Sequence, residues 1–111
     1  MATTTYKILG QSAPSSTSNA DLITVGASKS QIISTLNVAN VTGTASTTRI
    51  FARIAGAAAA VGNALLYDVS IPANTSVSFT LGITLAATDI LTVQTGTANA
   101  LTFTAFGTEI A

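Results

Sequence analysis

Gln31-Ile32-Ile33-Ser34-Thr35-Leu36-Asn37-Val38-Ala39-Asn40-Val41, followed across Thr42-Gly43-Thr44-Ala45-Ser46 by Thr47-Thr48-Arg49-Ile50-Phe51-Ala52-Arg53-Ile54, is the stretch that decides the fold class. In the first run Ile32, Leu36 and Val38 share one face and Thr35, Asn37 and Ala39 the other, which is the period of two of a half-buried strand. The second run turns Ile50, Ala52 and Ile54 one way and Arg49, Phe51 and Arg53 the other. The short Gly- and Ser-containing link between them predicts a hairpin.

The same texture extends in both directions, with period-two runs interrupted by Gly, Asn, Ser and Pro about every dozen residues, the spacing of an all-β sandwich or barrel. Strands are predicted at 6–11, 21–25, 31–41, 47–54, 63–71, 76–81, 90–94 and 101–110. Residues 12–19 form an extended surface linker. Turns at Pro72-Ala73-Asn74 and at Thr95-Gly96-Thr97-Ala98-Asn99 predict two further hairpins. Ala57-Ala58-Ala59-Ala60 is the one place where helix competes, and the flanking Gly56 and Gly62 hold it to a single turn. In the last strand Leu101 and Phe103 share a face and Phe106 falls on the other; either a bulge near Ala105 and Gly107 resets the register, the favoured reading, or Phe106 points outward. The expectation is one domain over residues 1–111, an all-β antiparallel β-sandwich of about eight strands. Its core would be Ile32, Leu36, Val38, Ile50, Ile54, Leu65, Tyr67, Val69, Val77, Phe79, Leu81, Ile90 and Phe103. Immunoglobulin-like and jelly-roll topologies both fit.

Function is narrowed first by what is scarce. Four cations, Lys7, Lys29, Arg49 and Arg53, balance four anions, Asp21, Asp68, Asp89 and Glu109, in 111 residues. A soluble domain carries about a quarter charged residues, so Thr, Ser, Asn and Ala must cover most of this surface. No basic field exists for nucleic acid. The chain has no Cys and no His, which speaks against a transition-metal site and leaves Ser and Thr hydroxyls without an imidazole base. The four acids stand far apart in sequence, and Asp89 reads as a turn residue bonding its own backbone. The glycines have no phosphate-cradling spacing. No catalytic, cofactor or metal residue is therefore assigned. The start, Met1-Ala2-Thr3-Thr4-Thr5, shows no basic cluster leading into an apolar run, and no run is long enough to cross a bilayer, so a soluble chain made inside the cell is expected. On that expectation the sequons at Asn40-Val41-Thr42 and Asn74-Thr75-Ser76 carry no weight.

The best candidate site is a contact patch, with Phe51 between Arg49 and Arg53 on the face opposite Ile50, because Arg and aromatic residues are enriched at interfaces; the alternative is that Phe51 is a buried side chain of the other register, or that the arginines only solubilise the sheet. Asp68 would pair with Arg49 if their strands adjoin. With so little charge and open strand edges, self-association into a closed cyclic oligomer such as a trimer is expected.

Taken in order, Tyr6-Lys7-Ile8-Leu9-Gly10-Gln11, Leu22-Ile23-Thr24-Val25, Ser34-Thr35-Leu36-Asn37-Val38-Ala39-Asn40, Leu66-Tyr67-Asp68-Val69, the run 81–89 and Phe106-Gly107-Thr108-Glu109-Ile110 resemble small β-sandwich structural proteins of tailed-bacteriophage virions, notably of phages that infect cyanobacteria and other marine bacteria. The chain departs from that pattern at Gly26, where a Pro often follows the Val, and at Leu66, where an aromatic is common. The resemblance implies a non-enzymatic virion protein assembled in the bacterial cytoplasm. A capsid decoration or cement protein on the head shell is the first expectation, with the major capsid protein or other virion proteins as partners and no membrane or nucleic acid. A tail, fibre or baseplate component, or a host-surface glycan-binding module, is the alternative.

Overall fold

The computed structural model describes residues 3–111; Met1 and Ala2, where the reading of the N-terminus begins, lie outside them. Nine strands form among the described residues: β1 (Thr4–Ser12), β2 (Ala20–Thr24), β3 (Ser30–Asn40), β4 (Ser46–Arg53), β5 (Ala64–Ile71), β6 (Ser76–Phe79), β7 (Ile83–Leu85), β8 (Ile90–Thr95) and β9 (Leu101–Ile110). Between β4 and β5 the Ala-rich segment makes two single 3-10 turns, Ile54–Gly56 and Val61–Asn63, so no helix longer than a turn exists among the described residues. Of the nine strands, β7 lacked a sequence signal, because three residues are too few to display a period.

The strands form two antiparallel sheets. One has the order β1-β9-β3-β6, with β7 also pairing β3; the other is β2-β8-β4-β5. An immunoglobulin-like sandwich pairs several sequence-adjacent strands within a sheet. Here every link crosses between sheets except β4–β5 and β6–β7, which is jelly-roll connectivity with the sixth strand split in two.

This topology corrects all three expected hairpins. β3 and β4, β5 and β6, and β8 and β9 each lie in different sheets; the hairpin that does form is β4–β5. The three misread links are corners gathered at one end of the sandwich. Asn74 N–H donates to the Thr42 carbonyl at 2.9 Å, Asn40 N–H to that of Thr75 at 2.8 Å, and Val41 N–H to that of Ala100 at 2.9 Å. Asn40 organises the first corner. Its buried side chain, 3% exposed, donates to the carbonyls of Ile71 and Thr44, both at 3.0 Å. Its oxygen accepts from Thr42 N–H and Thr42 Oγ1–H at 2.9 and 2.7 Å. All its polar capacity is used within the fold, as burial demands, and the sequon at Asn40 is buried.

The core lies between the sheets and includes Leu22, Ile23, Val25, Ile33, Leu36, Val38, Ile50, Ile71, Ile83, Leu85, Leu91, Val93, Leu101 and Phe103, with Val77 and Phe79 packed against it. Of the expected core, Ile32, Ile54, Leu65, Tyr67 and Leu81 are exposed instead. Bulges explain Ile32, Tyr67 and Leu65, because an extra residue inverts the facing of what lies beyond it. In β3 the register against β9 shifts between Ile33 and Thr35, so Ile33 points inward and Ile32 outward. In β5 the Tyr67-Asp68 pair stands opposite Arg49 alone, and Tyr67 turns out of the core. Ile54 and Leu81 lie beyond the ends of their strands.

The bulge expected within β9 is displaced too. β9 alternates through Leu101, Phe103 and Ala105 inward and leaves Phe106 40% exposed; the shifts fall in its neighbours, between Ile8 and Gly10 of β1 and between Ile33 and Thr35 of β3. Gly107 allows the second. A Cβ there would collide with the carbonyl oxygen of Ile32.

Candidate functional site

The outer face of the four-stranded sheet carries the predicted site. Arg49, in β4, is paired on one side with Gln94 of β8 and faces the β5 bulge on the other. Asp68 adopts a left-handed backbone, φ 56°, which Asp tolerates better than most residues. The bulge thereby presents two side chains to one guanidinium. Asp68 accepts two bonds from Arg49, Nε to Oδ1 at 2.6 Å and Nη2 to Oδ2 at 3.0 Å, and the Tyr67 ring centroid lies 4.0 Å from Arg49 Cζ. The expected Arg49–Asp68 pair thus exists, with a cation–π contact beside it that the sequence did not signal. The hydrogen bond from Arg49 holds the Asp68 carboxyl below its ordinary range, and the same bond raises the guanidinium.

Arg53 is tied to its own chain. It donates to the carbonyls of Ala57 at 2.6 Å and Gly56 at 3.1 Å, and to Asp21 and Thr92, both at 3.1 Å. Two bonds to the connection and two to the neighbouring strands fasten the β4–β5 connection down on the sheet. Phe51 does share the outer face with both arginines, as expected, but it is only 5% exposed. It stands apart from the main core, beside Ala59, Ala60 and Val61 of that connection. Phe51 is therefore an anchor for a loop of its own chain, and the exposed part of the candidate patch on this face reduces to Arg49, Tyr67 and Asp68.

Two open clefts flank Arg49. One, of about 220 Å³, is lined by Thr17, Thr47, Thr48, Asp68, Thr95 and Gly96; the other, of about 240 Å³, by Asn19, Phe51, Tyr67 and the Ala59–Val61 segment. Gln94 borders both and donates from Nε2 to the Thr17 carbonyl at 2.9 Å. Both fall below the roughly 300–1,000 Å³ of pockets that enclose small molecules. No group of three or more metal-ligating side chains comes together among the described residues, and no described helix is long and apolar enough to cross a membrane. Asp89 is the turn residue expected, accepting from the Ala86 N–H at 2.9 Å; it also accepts from the Ala55 N–H at 2.9 Å.

A second charged cluster had no sequence signal, because its members are up to 102 positions apart. Glu109 accepts from Lys7 Nζ at 3.1 Å and from Gln31 Nε2 at 2.9 Å, with Lys29 Nζ 3.9 Å away. The Gln31 bond and then the Lys7 bond hold its carboxyl below the ordinary range. β1, β3 and β9 bring these residues together where residues 3 and 111 exchange backbone hydrogen bonds.

No protein-family model and no curated protein matches the chain. Among solved structures it is similar to a chain from the structure of infectious bursal disease virus Gx strain, at 13% identity and a TM-score of 0.45, over 99% of this chain and 31% of that one. The chain thus spans about a third of that protein's length.

Proposed function

We propose that this chain is a non-enzymatic structural protein of a bacteriophage virion, a decoration protein that binds the head shell and stabilises it through protein–protein contacts. The observation that carries the reading is where the scarce charge goes. Arg49, Arg53, Asp21 and Asp68 interact on the four-stranded sheet, Lys7, Lys29 and Glu109 meet where the termini pair, and Asp89 closes a turn. The outer face of the five-stranded sheet is left with hydroxyls and exposed Tyr6, Ile8, Ile32 and Phe106. A contiguous apolar surface on a soluble domain marks a place covered by protein. The resemblance of the strand texts to phage virion modules supplies the setting, and the major capsid protein or another virion protein is the partner.

Glycan binding has less support. Sugar sites use open aromatic platforms; of the two rings that line the cleft beside Arg49, Phe51 is buried and Tyr67 has Arg49 stacked on it. A density map of the intact particle tests the proposal. Copies of the jelly roll at regular positions on the head shell are expected; their absence from purified particles would refute it, and their presence on the tail would reassign the protein to the tail.

A further inference from the structure

We infer that the outer face of the five-stranded sheet packs against the same face of a second copy of this chain, around a two-fold axis passing near Phe106. The inference rests on the reading of the chain as an assembly protein and names the partner for one of its faces, leaving the charged sheet to meet a different protein.

The strand register builds the patch. Tyr6 pairs with Thr108, which pairs with Ile32; Ile8 pairs with Phe106, which pairs with Thr35. Side chains paired across a sheet share a face, so four apolar groups from three adjacent strands adjoin. They are 82%, 53%, 43% and 40% exposed for Tyr6, Ile8, Ile32 and Phe106. Both bulges beside Phe106 contribute, since without the shift at Ile33 the alternation would carry Ile32 into the core.

Three properties select a second copy as the occupant. The face carries no charged side chain, so it offers nothing to neutralise a charged partner, whose ions would lose hydration without compensation. Two uncharged faces lose nothing of this kind. Aligned face-to-face packing requires sheets of matching twist, and identical copies have identical twist. Lastly, four strands at about 4.8 Å spacing by about ten residues at 3.3 Å give roughly 600 Å² per copy, hence about 1,200 Å² in total, the lower end for a specific interface. A reversible dimer follows. Because β9 lies between β1 and β3, Phe106 is central and closest to the axis. The same patch on both copies makes the contact isologous, which closes at two, whereas a trimer needs two different patches.

The test uses the whole chain. Sedimentation equilibrium from low micromolar to near-millimolar concentration should show a monomer–dimer equilibrium, and Phe106→Lys and Ile8→Lys should each weaken it at least about tenfold, as expected for residues at an interface centre, with unchanged circular dichroism. The chain has no cysteine, so Phe106→Cys provides a single thiol. Mild oxidation should link it into a disulfide dimer, while Ser70→Cys, exposed on the other sheet, should remain unlinked. A wild-type monomer throughout the range, a trimer, or a dimer that Phe106→Lys leaves intact and Phe106→Cys does not link would each overturn the inference. None of these results bears on whether the chain is found on particles, so the virion proposal stands or falls separately.

Discussion

Replacing Asn40 by Asp should destabilise the domain more than replacing it by Ala, although Asp is nearly isosteric. The Asn40 amide gives both its hydrogens to carbonyls, those of Ile71 and Thr44, while its oxygen takes two bonds from Thr42. Asn40→Ala removes all four. The Ile71 carbonyl bond is fully buried, and stranding such a group costs about 1–3 kcal/mol. The other three bonds lie nearer the surface, where water replaces much of what is lost, so the total is about 2–4 kcal/mol. For a domain of this size that is a fall of roughly 8–20 °C in Tm. Asn40→Asp keeps the acceptor but turns a carboxylate oxygen toward two carbonyls, adding repulsion and a buried charge, for at least about 1 kcal/mol more at neutral pH. Burial among carbonyls raises the folded-state pKa of the new carboxyl. Its extra destabilisation is therefore absent below the unfolded-state value, about 4, and develops as pH rises from there through the raised folded value. Urea denaturation of wild type, Asn40→Ala and Asn40→Asp across that range, each compared with wild type at the same pH, measures this. If Asn40→Asp equals Asn40→Ala at pH 7, or its deficit does not shrink in acid, the assignment of the amide hydrogens to Ile71 and Thr44 is wrong.

Phe51→Ala should cost about 3 kcal/mol, the low end for a buried aromatic, and should make residues 57–60 sensitive to limited proteolysis; an unchanged Tm would show that the β4–β5 connection does not cover the ring. Gly107→Ala should destabilise by about 1–3 kcal/mol through its collision with the Ile32 backbone, detectable as a lower urea midpoint. The lowered carboxyls of Asp68 and Glu109 contribute stability that is complete above their unfolded-state pKa values and lost as pH falls through the folded ones, so stability should drop below about pH 4; in Asp68→Asn combined with Glu109→Gln that acid-side slope should flatten.

What the sequence makes legible is where strands run, because alternation is a property of each segment alone. Eight of the nine strands stand within a few residues of their expected places. Pairing was not legible. A Gly- and Ser-rich link suits a hairpin and a crossing between sheets equally well, and what sends residues 41–45 across is a buried side chain, Asn40, bonded to Ile71, 31 positions away. Facing fails where bulges fall, as at Ile32 and Tyr67, since the extra residue is defined by the partner strand and leaves no mark on its own. At the candidate site, the charge-pairing logic for Arg49 and Asp68 succeeded because their strands adjoin and both side chains face outward; the bulge that sets Tyr67 beside Asp68 was not legible. The assignment of Phe51 to the outer face also holds; that its own loop would close over it is a tertiary fact, depending on four hydrogen bonds from Arg53.

The position of β9 also has a temporal meaning. It is the last strand in chain order, yet it lies inside its sheet, pairing β1 on one side and β3 on the other. A nascent chain that has released everything before residue 101 holds two long strands, β1 and β3, with a gap between them. Among the described residues the hairpin β4–β5 is the sizeable piece whose pairing is local, so it can form early, while closure of the larger sheet waits for residues 101–110. Until then the vacant place beside β3 accepts any β9, from its own chain or from a neighbour on the same polysome. Prompt docking of β9 into its own sheet is therefore protective, and strand exchange between simultaneously synthesised copies is the characteristic error of this architecture.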